Sequence, residues 1–297
     1  MANRRNFIKT GTYIAAGSLI LPVISCEQKK KESTEAVPPP PPVNKMGVGL
    51  QVYSVRNQLT EDFEGTMKKV ADIGFELIEG YGLGTDGKFL GQHDATYYAK
   101  VVNDLGMKLV ATHCGYFSHD QATATIDAAK AAGVEYLVTP YIPDQLRTNI
   151  DGYKAVAENL NKIGELCNAV GIKYGYHNHA FEFEKMEDQI PMEVLIQETQ
   201  AGLVTFEADL FWTTMGGYDP VQLVKKYPGR ISLFHVKDAN AEKGEATVGQ
   251  GTIDFKSIFE AGKEHGLKYY FIEDEREENV FENVKADFEY MKAQDFA

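Results

Sequence analysis

Short apolar runs alternate with amphipathic stretches from Met46 to the end of the chain. Runs typical of buried strands begin at residues 47, 75, 108, 135, 172, 203, 231 and 268. Each is followed by a helical pattern, over about 62–72, 95–105, 121–132 and 150–170, then from 192, 220 and 254, and over 279–292. Eight strand–helix units in about 250 residues predict a (β/α)₈ TIM barrel, an α/β fold in a single domain.

Glycines mark the ends of several predicted helices. Each lies just past a helical stretch, where the backbone commonly turns into a left-handed conformation: Gly74, Gly106, Gly133, Gly171 and Gly266. An open doubly wound sheet would show the same alternation. It usually has fewer strands, however, and no glycine-rich phosphate-binding turn follows the first strand here. The pattern therefore favours the closed barrel.

Polar and ionisable residues collect where the predicted strands end. The stretch YGYHNHAFEF (174–183) is followed by FEADLFW (206–212), LFHVKD (233–238) and FIEDE (271–275). Because the carboxyl ends of all barrel strands meet on one face, these side chains are predicted to line one pocket. The residues concerned are Gln51, Tyr53, Arg56, Glu79, His113, His177, His179, Glu207, Asp209, His235, Lys237, Glu273 and Glu275.

This mixture of imidazoles and carboxylates predicts a site for one divalent metal ion. Histidine together with Asp and Glu suits Mn²⁺, Co²⁺, Zn²⁺ or Fe²⁺, whereas oxygen-only sets favour Mg²⁺ or Ca²⁺. Taken one at a time, the same residues have structural explanations. Asp209 can cap the following turn, and Glu273 can pair with Arg276. One chemical theme on four consecutive strands favours the metal site.

The chain from 47 to 297 resembles the sugar phosphate isomerase/epimerase family of xylose isomerase-like barrels. The resemblance rests on LQVYSVR, YHNHAFEF, EADLFW, HVKD, VGQGTIDF and FIEDE, which span the predicted barrel. These motifs are specific to the superfamily rather than to one substrate. The resemblance implies one divalent ion, often Mn²⁺, held by residues of the last four strands. The matching positions are His177, Asp209, His235 and Glu273.

The first of these positions departs from the family pattern. The epimerases have a Glu there that is both ligand and acid/base, whereas this chain has His177. The two-glutamate proton shuttle is therefore not expected unchanged. A neutral imidazole can bind metal, and His179 can then carry the proton. The predicted catalytic residues are His179 and Glu273, and the reverse assignment of the two histidines stays open.

The resemblance also implies the type of reaction and its substrate. A metal ion beside the carbonyl of a small carbohydrate stabilises the enediolate that forms when a neighbouring proton is removed. Returning the proton elsewhere gives isomerisation or epimerisation. If a leaving group lies next to the carbanion, the reaction is an elimination, as in superfamily members that act on 3-keto-glycosides. A sugar isomerase/epimerase is the first prediction, and a 3-keto-glycoside lyase or hydratase the alternative.

Four residues are candidate substrate contacts: His113, Lys237, Arg56 and Trp212. The two cations can stabilise an oxyanion or bind hydroxyl groups, and they can equally form ordinary salt bridges at the barrel mouth. The indole can form an apolar wall against a sugar face or simply pack in the core. The loop over 239–251 either folds over the sugar or is a flexible connector.

Residues 1–46 have a different character. Arg4 and Arg5 before NFIK, with an apolar stretch over 10–25, resemble a twin-arginine export signal, and VISC at 23–26 resembles a lipoprotein cleavage box. Residues 27–46 are charged and then proline-rich, which predicts a solvated linker. The sequence predicts a signal peptide over 1–26, a lipid on Cys26 and a catalytic body over 47–297. That body is expected in the periplasm or at the outer membrane, anchored by lipid alone.

Charge and cysteine content bear on the partners. Without residues 1–46 the chain has 23 basic and 40 acidic residues, a net charge of −17, which disfavours nucleic acid. This also argues against a related three-zinc barrel that cleaves DNA. A solute-binding lipoprotein is a further rival, but such proteins usually have two lobes. Cys114 and Cys167 are predicted to be buried free thiols. A small carbohydrate is the expected partner, and homo-oligomers stay open.

Overall fold

The computed structural model describes residues 45–297, which form a closed barrel of eight parallel strands. The strands are β1 (Gly49–Gln51), β2 (Leu77–Leu83), β3 (Lys108–Cys114), β4 (Tyr136–Thr139), β5 (Lys173–His177), β6 (Val204–Asp209), β7 (Ile231–Val236) and β8 (Tyr269–Ile272). Each strand pairs with its neighbours in chain order, and β1 pairs with both β2 and β8, which closes the ring. The prediction of a single (β/α)₈ barrel is confirmed.

The predictions for the amino-terminal segment lie outside the described residues. They comprise the signal peptide, the lipid on Cys26 and most of the linker. Within residues 45–297, no helix combines the length and the apolar character needed to cross a membrane. The lipid anchor stays a prediction.

Helices surround the strands, and the longer ones begin within two residues of their predicted starts. Two short helices that the sequence pattern did not show, α1 and α7, follow β1 and β6. The helices are α1 (Arg56–Glu61), α2 (Phe63–Ile73), α3 (Ala95–Asp104), α4 (Thr123–Ala132), α5 (Ile150–Ala169), α6 (Pro191–Glu198), α7 (Leu210–Met215), α8 (Pro220–Lys226), α9 (Phe255–His265) and α10 (Val280–Ala293).

Local sequence signals define the helix ends. The side chain of Asp62 accepts a hydrogen bond from the backbone N–H of Gly65 at 2.9 Å and so caps the start of α2. Gly74, at the end of the same helix, has a φ of 115°. A residue with a side chain is strained there, which is why glycine ends the helix and directs the chain into β2.

The inside of the barrel is apolar at one level and ionisable at the next. A buried apolar cluster fills the lower level: Val110, Ala111, Tyr136, Val138, Leu233 and Phe271. Leu233 precedes His235 by two residues, and Phe271 precedes Glu273 by two. Because positions two apart on a strand share a face, the same inward rows supply the apolar floor and then the functional groups above it.

The loop after β7 is tied to the barrel by one buried carboxylate. Asp238 accepts hydrogen bonds from the backbone N–H groups of Ala239 at 2.8 Å, Gly249 at 2.9 Å, Gly251 at 2.9 Å and Ile253 at 3.2 Å. Residues Asp238–Ala239 also pair with Glu245–Ala246 as a small antiparallel ladder. These bonds give the loop over 239–253 a defined conformation and explain the glycines of the VGQG motif.

Gly251→Ala is expected to lower the free energy of unfolding by about 1–3 kcal/mol. A Cβ at Gly251 would overlap the carboxylate of Asp238 and the carbonyl of Ala239. Urea denaturation measures the change. Gly202→Ala is the control, because a Cβ at Gly202 meets nothing within 4 Å. Equal effects of the two substitutions would contradict a loop held by Asp238.

Both ends of the described chain lie on the amino-terminal face of the barrel. Lys45 and Ala297 line one small crevice there, together with Glu76 and Lys292. The ammonium of Lys292 pairs with the carboxylate of Glu76 across this crevice. The carboxyl ends of the strands, where the polar residues collect, form the opposite face.

Candidate active site and metal centre

A cavity of about 370 Å³ opens at the carboxyl ends of the strands. Its volume is within the range of small-molecule sites. One part of the wall is ionisable and comprises His113, His177, His179, Glu273 and Glu275. Another part is aromatic and comprises Tyr53, Tyr81, Tyr141 and Trp212. The predicted pocket is therefore present on the predicted face.

Four residues at this face form a compact group of possible metal ligands: His177, Asp209, His235 and Glu273. All four are buried, and one ligand atom of each lies within 4.8 Å of the others. His177 Nε2 is 3.5 Å from Asp209 Oδ2, and His235 Nδ1 is 3.1 Å from Glu273 Oε2. Atoms bound to one ion at about 2.0–2.2 Å are roughly 3–4 Å from each other, so this spacing suits a shared ion.

Two of these ligand atoms have no hydrogen-bond partner among the described residues. They are Nε2 of His177 and Oδ2 of Asp209, and both are buried. Buried polar atoms are nearly always bonded, so an imidazole nitrogen and a carboxylate oxygen left together without partners are positioned to bind a cation. The two nitrogens and two oxygens of the group suit a divalent transition metal. The residues therefore fit the predicted ion.

The charges around the group keep its carboxylates ionised. Burial disfavours the charged form of Asp209 and Glu273, but Lys237 together with His177 and His235 outweighs burial. These neighbours lower the pKa of Asp209 and hold the pKa of Glu273 well below its usual range. Lys237 Nζ lies 3.0 Å from Glu273 Oε2 and 3.8 Å from Asp209 Oδ2. Ligand carboxylates must be ionised to bind metal, and this ammonium maintains that state.

Of the four candidate substrate contacts, two line the cavity, namely His113 and Trp212. Lys237 and Arg56 do not. Lys237 is 1% exposed and pairs with Glu273 and Glu275. The guanidinium of Arg56 lies 4.6 Å from the centre of the Tyr53 ring and pairs with Glu277 at 3.2 Å. Both cations thus form salt bridges, as the alternative interpretation of the sequence predicts. Contact of Lys237 or Arg56 with substrate stays a prediction.

His179 lies on the cavity wall outside the four-residue group. Its ring stacks on Phe181, with ring centres 5.6 Å apart, and Trp212 lies 5.8 Å away on centres. Burial, and then the neighbouring His177, lower the pKa of His179 to about 3. Its Nδ1 is buried without a partner. The ring is therefore neutral at physiological pH, and one of its two nitrogens has a lone pair that can accept a proton.

Glu182 is a supporting residue that the sequence analysis missed. Its buried carboxylate accepts hydrogen bonds from the backbone N–H of His179 at 2.8 Å and from the Tyr176 hydroxyl. Burial raises the pKa of Glu182 to about 7. These bonds fix the turn between β5 and Phe181–Phe183 and so set the direction of His179. The available signal was an acidic residue between two aromatic ones in the FEF segment.

A second buried group lies beside the first and shares His235 with it. It consists of Glu79, His113, Glu207 and His235. His235 Nε2 is 2.6 Å from Glu79 Oε2, and His113 Nε2 is 2.7 Å from Glu207 Oε2. Burial, and then the charge of Glu207, raise the pKa of Glu79 to about 8. The sequence analysis placed Glu79 and Glu207 at strand ends but assigned them no role.

Asp287 on α10 holds the loop after β7 from the other side. Its Oδ1 accepts a hydrogen bond from the backbone N–H of Val248 at 2.8 Å. Burial, and then neighbouring Asp274, raise the pKa of Asp287 from 3.8 to about 8. Between these values the native protein binds more protons at this site than the unfolded chain does. The contribution of Asp287 to the free energy of unfolding is therefore expected to fall as pH rises from about 4 to about 8.

Asp287→Asn is expected to remove this pH dependence. The amide keeps an oxygen for Val248 and carries no charge, so the variant should exceed the wild type in unfolding free energy by roughly 1 kcal/mol or more at pH 8.5. Urea unfolding at pH 5 and pH 8.5 measures the difference. Asp188→Asn is the control, since that side chain is 94% exposed. A wild type that gains stability over this pH interval relative to Asp287→Asn would contradict the prediction.

Comparison with known proteins supports the fold and shows the family. Residues 67–294 match the family described as xylose isomerase-like TIM barrel. An inosose dehydratase from Clostridium beijerinckii is 28% identical over 177 residues, which is 53% of this chain and 58% of that protein. The match thus spans little more than half the length of that relative.

Solved structures resemble the chain over most of its length. A sugar phosphate isomerase/epimerase from Parabacteroides distasonis is 27% identical with a TM-score of 0.76, covering 85% of this chain and 96% of that one. The IolI protein with a bound zinc atom is 15% identical with a TM-score of 0.67, covering 84% and 98%. The family match includes β2 to β8 and all four residues of the possible metal group. The chain therefore belongs to the xylose isomerase-like TIM barrel family.

Proposed function

We propose that this protein is a divalent-metal-dependent enzyme that removes a proton beside the carbonyl of a small carbohydrate, as sugar isomerases and epimerases do. One observation carries the proposal. A buried group of two imidazoles and two carboxylates lies next to the neutral imidazole of His179, and His177 and Glu273 of that group line the same cavity as His179. An ion held by the four-residue group can stabilise the charge that develops on a carbonyl oxygen, while the neighbouring imidazole takes the proton from the adjacent C–H.

The residues have distinct parts in this chemistry. His177, Asp209, His235 and Glu273 would hold the ion. A bound divalent ion acts as a Lewis acid and stabilises negative charge on the substrate oxygens, an effect worth several kcal/mol. Mn²⁺ is the first candidate, with Co²⁺, Zn²⁺ and Fe²⁺ as alternatives, and the IolI protein is an example of a barrel with this fold that binds a zinc atom.

His179 is the proposed proton carrier. It enters the reaction neutral, because burial and His177 lower its pKa to about 3. Negative charge developing on the substrate next to the ring raises its basicity at the moment of transfer. Trp212 and the tyrosines of the wall present aromatic faces suited to the C–H faces of a sugar and exclude water from the reacting carbon.

An elimination is the second candidate, favoured by a specific observation. His177 stands where the epimerases of the family have a second acid/base carboxylate, and Glu273 is engaged by His235 and Lys237. One free proton carrier on the wall suits removal of a proton followed by loss of a hydroxyl or an aglycone from the next carbon. The alternative includes lyases and hydratases of 3-keto-glycosides. The relatives named inosose dehydratase support it, because a dehydratase eliminates water.

Exchange in deuterated water tests both candidates. Mn²⁺-loaded protein is incubated with free sugars, keto-inositols and 3-keto-glycosides, and products are followed by NMR and mass spectrometry. Deuterium uptake without bond cleavage identifies an isomerase or epimerase, and loss of water or aglycone identifies a lyase. His179→Ala is expected to stop uptake, whereas His119→Ala, a histidine paired with Asp120 outside the cavity, is expected to leave it unchanged. A metal-loaded protein that exchanges no substrate of these classes would refute the proposal.

The cellular location is a further part of the proposal. The twin-arginine motif and the cleavage box before Cys26 support export and lipidation. Labelling with an alkyne fatty acid in a bacterial host is expected to mark the wild type and not Cys26→Ala. Equal labelling of the two proteins would remove the lipid anchor from the proposal.

A further inference from the structure

We propose that Glu79 is a positioning residue for the metal centre: it holds the proton of His235 on Nε2 and thereby directs Nδ1 to the ion. This inference rests on the proposed metal site and goes beyond it. The second buried group, which contains Glu79, His113 and Glu207, would then orient a ligand of the first group and would not bind a second ion.

Interatomic spacing distinguishes the two groups. In the first group the ligand atoms are 3.1 Å, 3.5 Å and 3.9 Å apart. In the second group the two closest pairs are 2.6 Å and 2.7 Å apart, and two further pairs are 3.3 Å and 3.6 Å apart. The shorter values are those of charge-assisted hydrogen bonds, in which a proton and not a metal lies between the atoms. His235 belongs to both groups through different nitrogens, Nδ1 in the first and Nε2 in the second.

The orientation of the bond between His235 and Glu79 follows from the neighbours of Glu79. Gln51 Oε1 accepts the backbone N–H of Tyr53 at 3.0 Å, which fixes the direction of the amide. Gln51 Nε2 therefore faces Glu79 and donates to its Oε2 at 2.9 Å. That oxygen accepts the hydrogen bond from Gln51, so we infer that it also accepts one from the Nε2–H of His235. All of these groups are buried or partly buried, which limits competition from water.

The consequence for the metal centre follows from imidazole chemistry. A neutral imidazole has one N–H and one nitrogen with a free lone pair. The hydrogen-bond acceptor beside the ring determines which of the two nitrogens carries the hydrogen. With the proton on Nε2, the lone pair of Nδ1 faces Asp209 and Glu273. Carboxylate partners of this kind orient ligand histidines, and their loss typically weakens metal binding about 10- to 100-fold.

Glu207 provides a matched comparison within the same group. It is as fully buried as Glu79 and has the same side chain. Its short contact is with His113 at 2.7 Å, however, and its oxygen is 3.3 Å from His235 Nε2. Either substitution replaces a fully buried carboxyl group by an amide of the same shape, so a difference between the two variants reports the bond between Glu79 and His235.

Metal titration of the wild type and two variants tests the inference. Calorimetry with Mn²⁺ is expected to give one ion per wild-type chain, about 10- to 100-fold weaker binding for Glu79→Gln, and a clearly smaller loss for Glu207→Gln. Equal losses in the two variants would overturn it, and so would two ions per wild-type chain. A wild type that binds no ion would instead refute the proposed function.

A measurement on the wild type keeps the inference testable if either variant fails to fold. Zinc-loaded protein with ¹⁵N-labelled histidine is expected to show the His235 proton bonded to Nε2, with a downfield shift from the hydrogen bond to Glu79. The resonance is assigned by its loss in His235→Gln. A proton found on Nδ1 would overturn the inference even with one ion bound.

Discussion

Asp209→Asn is expected to abolish divalent-metal binding and to reduce turnover by about 10³-fold or more, while the barrel remains folded. The two carboxylate oxygens of Asp209 have separate tasks. Oδ1 accepts the backbone N–H of Trp212 at 2.7 Å and caps α7, whereas Oδ2 is the buried ligand atom without a partner. An amide oxygen can keep the cap, but an amide nitrogen cannot bind the ion. Metal content and turnover, measured beside thermal unfolding, separate the two tasks.

Two further variants isolate the capping effect. Asp209→Ala loses the ligand and the cap, so it is expected to match Asp209→Asn in activity and to be less stable by about 1 kcal/mol. Asp219 caps α8 through the N–H of Val221 at 2.8 Å and lies outside the cavity. Asp219→Ala is therefore expected to lose similar stability and keep full turnover. A fully active Asp209→Asn would eliminate the metal site as described.

Lys237→Met is expected to lower the free energy of unfolding of the metal-free protein by about 3–5 kcal/mol. The ammonium is the buried counter-charge of Glu273 and also faces Asp209 and Glu275. Its removal leaves those carboxylates to repel each other in a dry environment. Saturating Mn²⁺ is expected to restore much of the loss, because the ion brings two positive charges to the same place. Denaturation with chelator and with Mn²⁺ measures both effects.

The control for this variant is a lysine in a more exposed pair. Lys226 pairs with Glu193 at the surface, and its side chain is 49% exposed. Lys226→Met is expected to change the free energy of unfolding by less than about 1 kcal/mol, with or without metal. If Mn²⁺ raised the free energy of unfolding of Lys237→Met no more than that of Lys226→Met, Lys237 and the ion would not interact with the same carboxylates.

The fold was predictable because its signals are local and repeated. Apolar runs and amphipathic stretches alternate eight times, and the rule that strand ends meet on one face predicts that Asp209, His235 and Glu273 lie together. Asp209 pairs with His235 across the sheet, and Glu273 lies two residues past Phe271, the partner of His235 on β8. Strand order alone was enough to predict this part of the site.

The separate positions of His177 and His179 could not be predicted from alternation. Residues two apart share a face only while the strand continues, and β5 ends at His177. The chain then turns toward Phe181–Phe183, and the carboxylate of Glu182 holds that turn. His179 therefore leaves the sheet and reaches the cavity wall from a loop. The direction of such a turn depends on tertiary contacts, which the alternation of apolar and polar positions in the sequence does not reveal.

The partners of Glu79 were beyond sequence reasoning for a different reason. Its contacts join β1, β2 and β7, whose residues are 28 and 156 positions apart in the chain. Which inward side chains meet depends on the stagger of the closed ring and on the height of each residue within it. The sequence showed that Glu79 lies near a strand end, but not that it contacts His235.

The shared position of Lys45 and Ala297 on the floor of the barrel has a practical consequence. A support, an affinity tag or a fusion partner joined directly to Lys45 or to Ala297 attaches on the side remote from the cavity, so substrates retain access. The same proximity makes a body cut to residues 45–297 suitable for circular permutation, in which a short linker joins Ala297 to Lys45 and new ends are opened in an exposed turn.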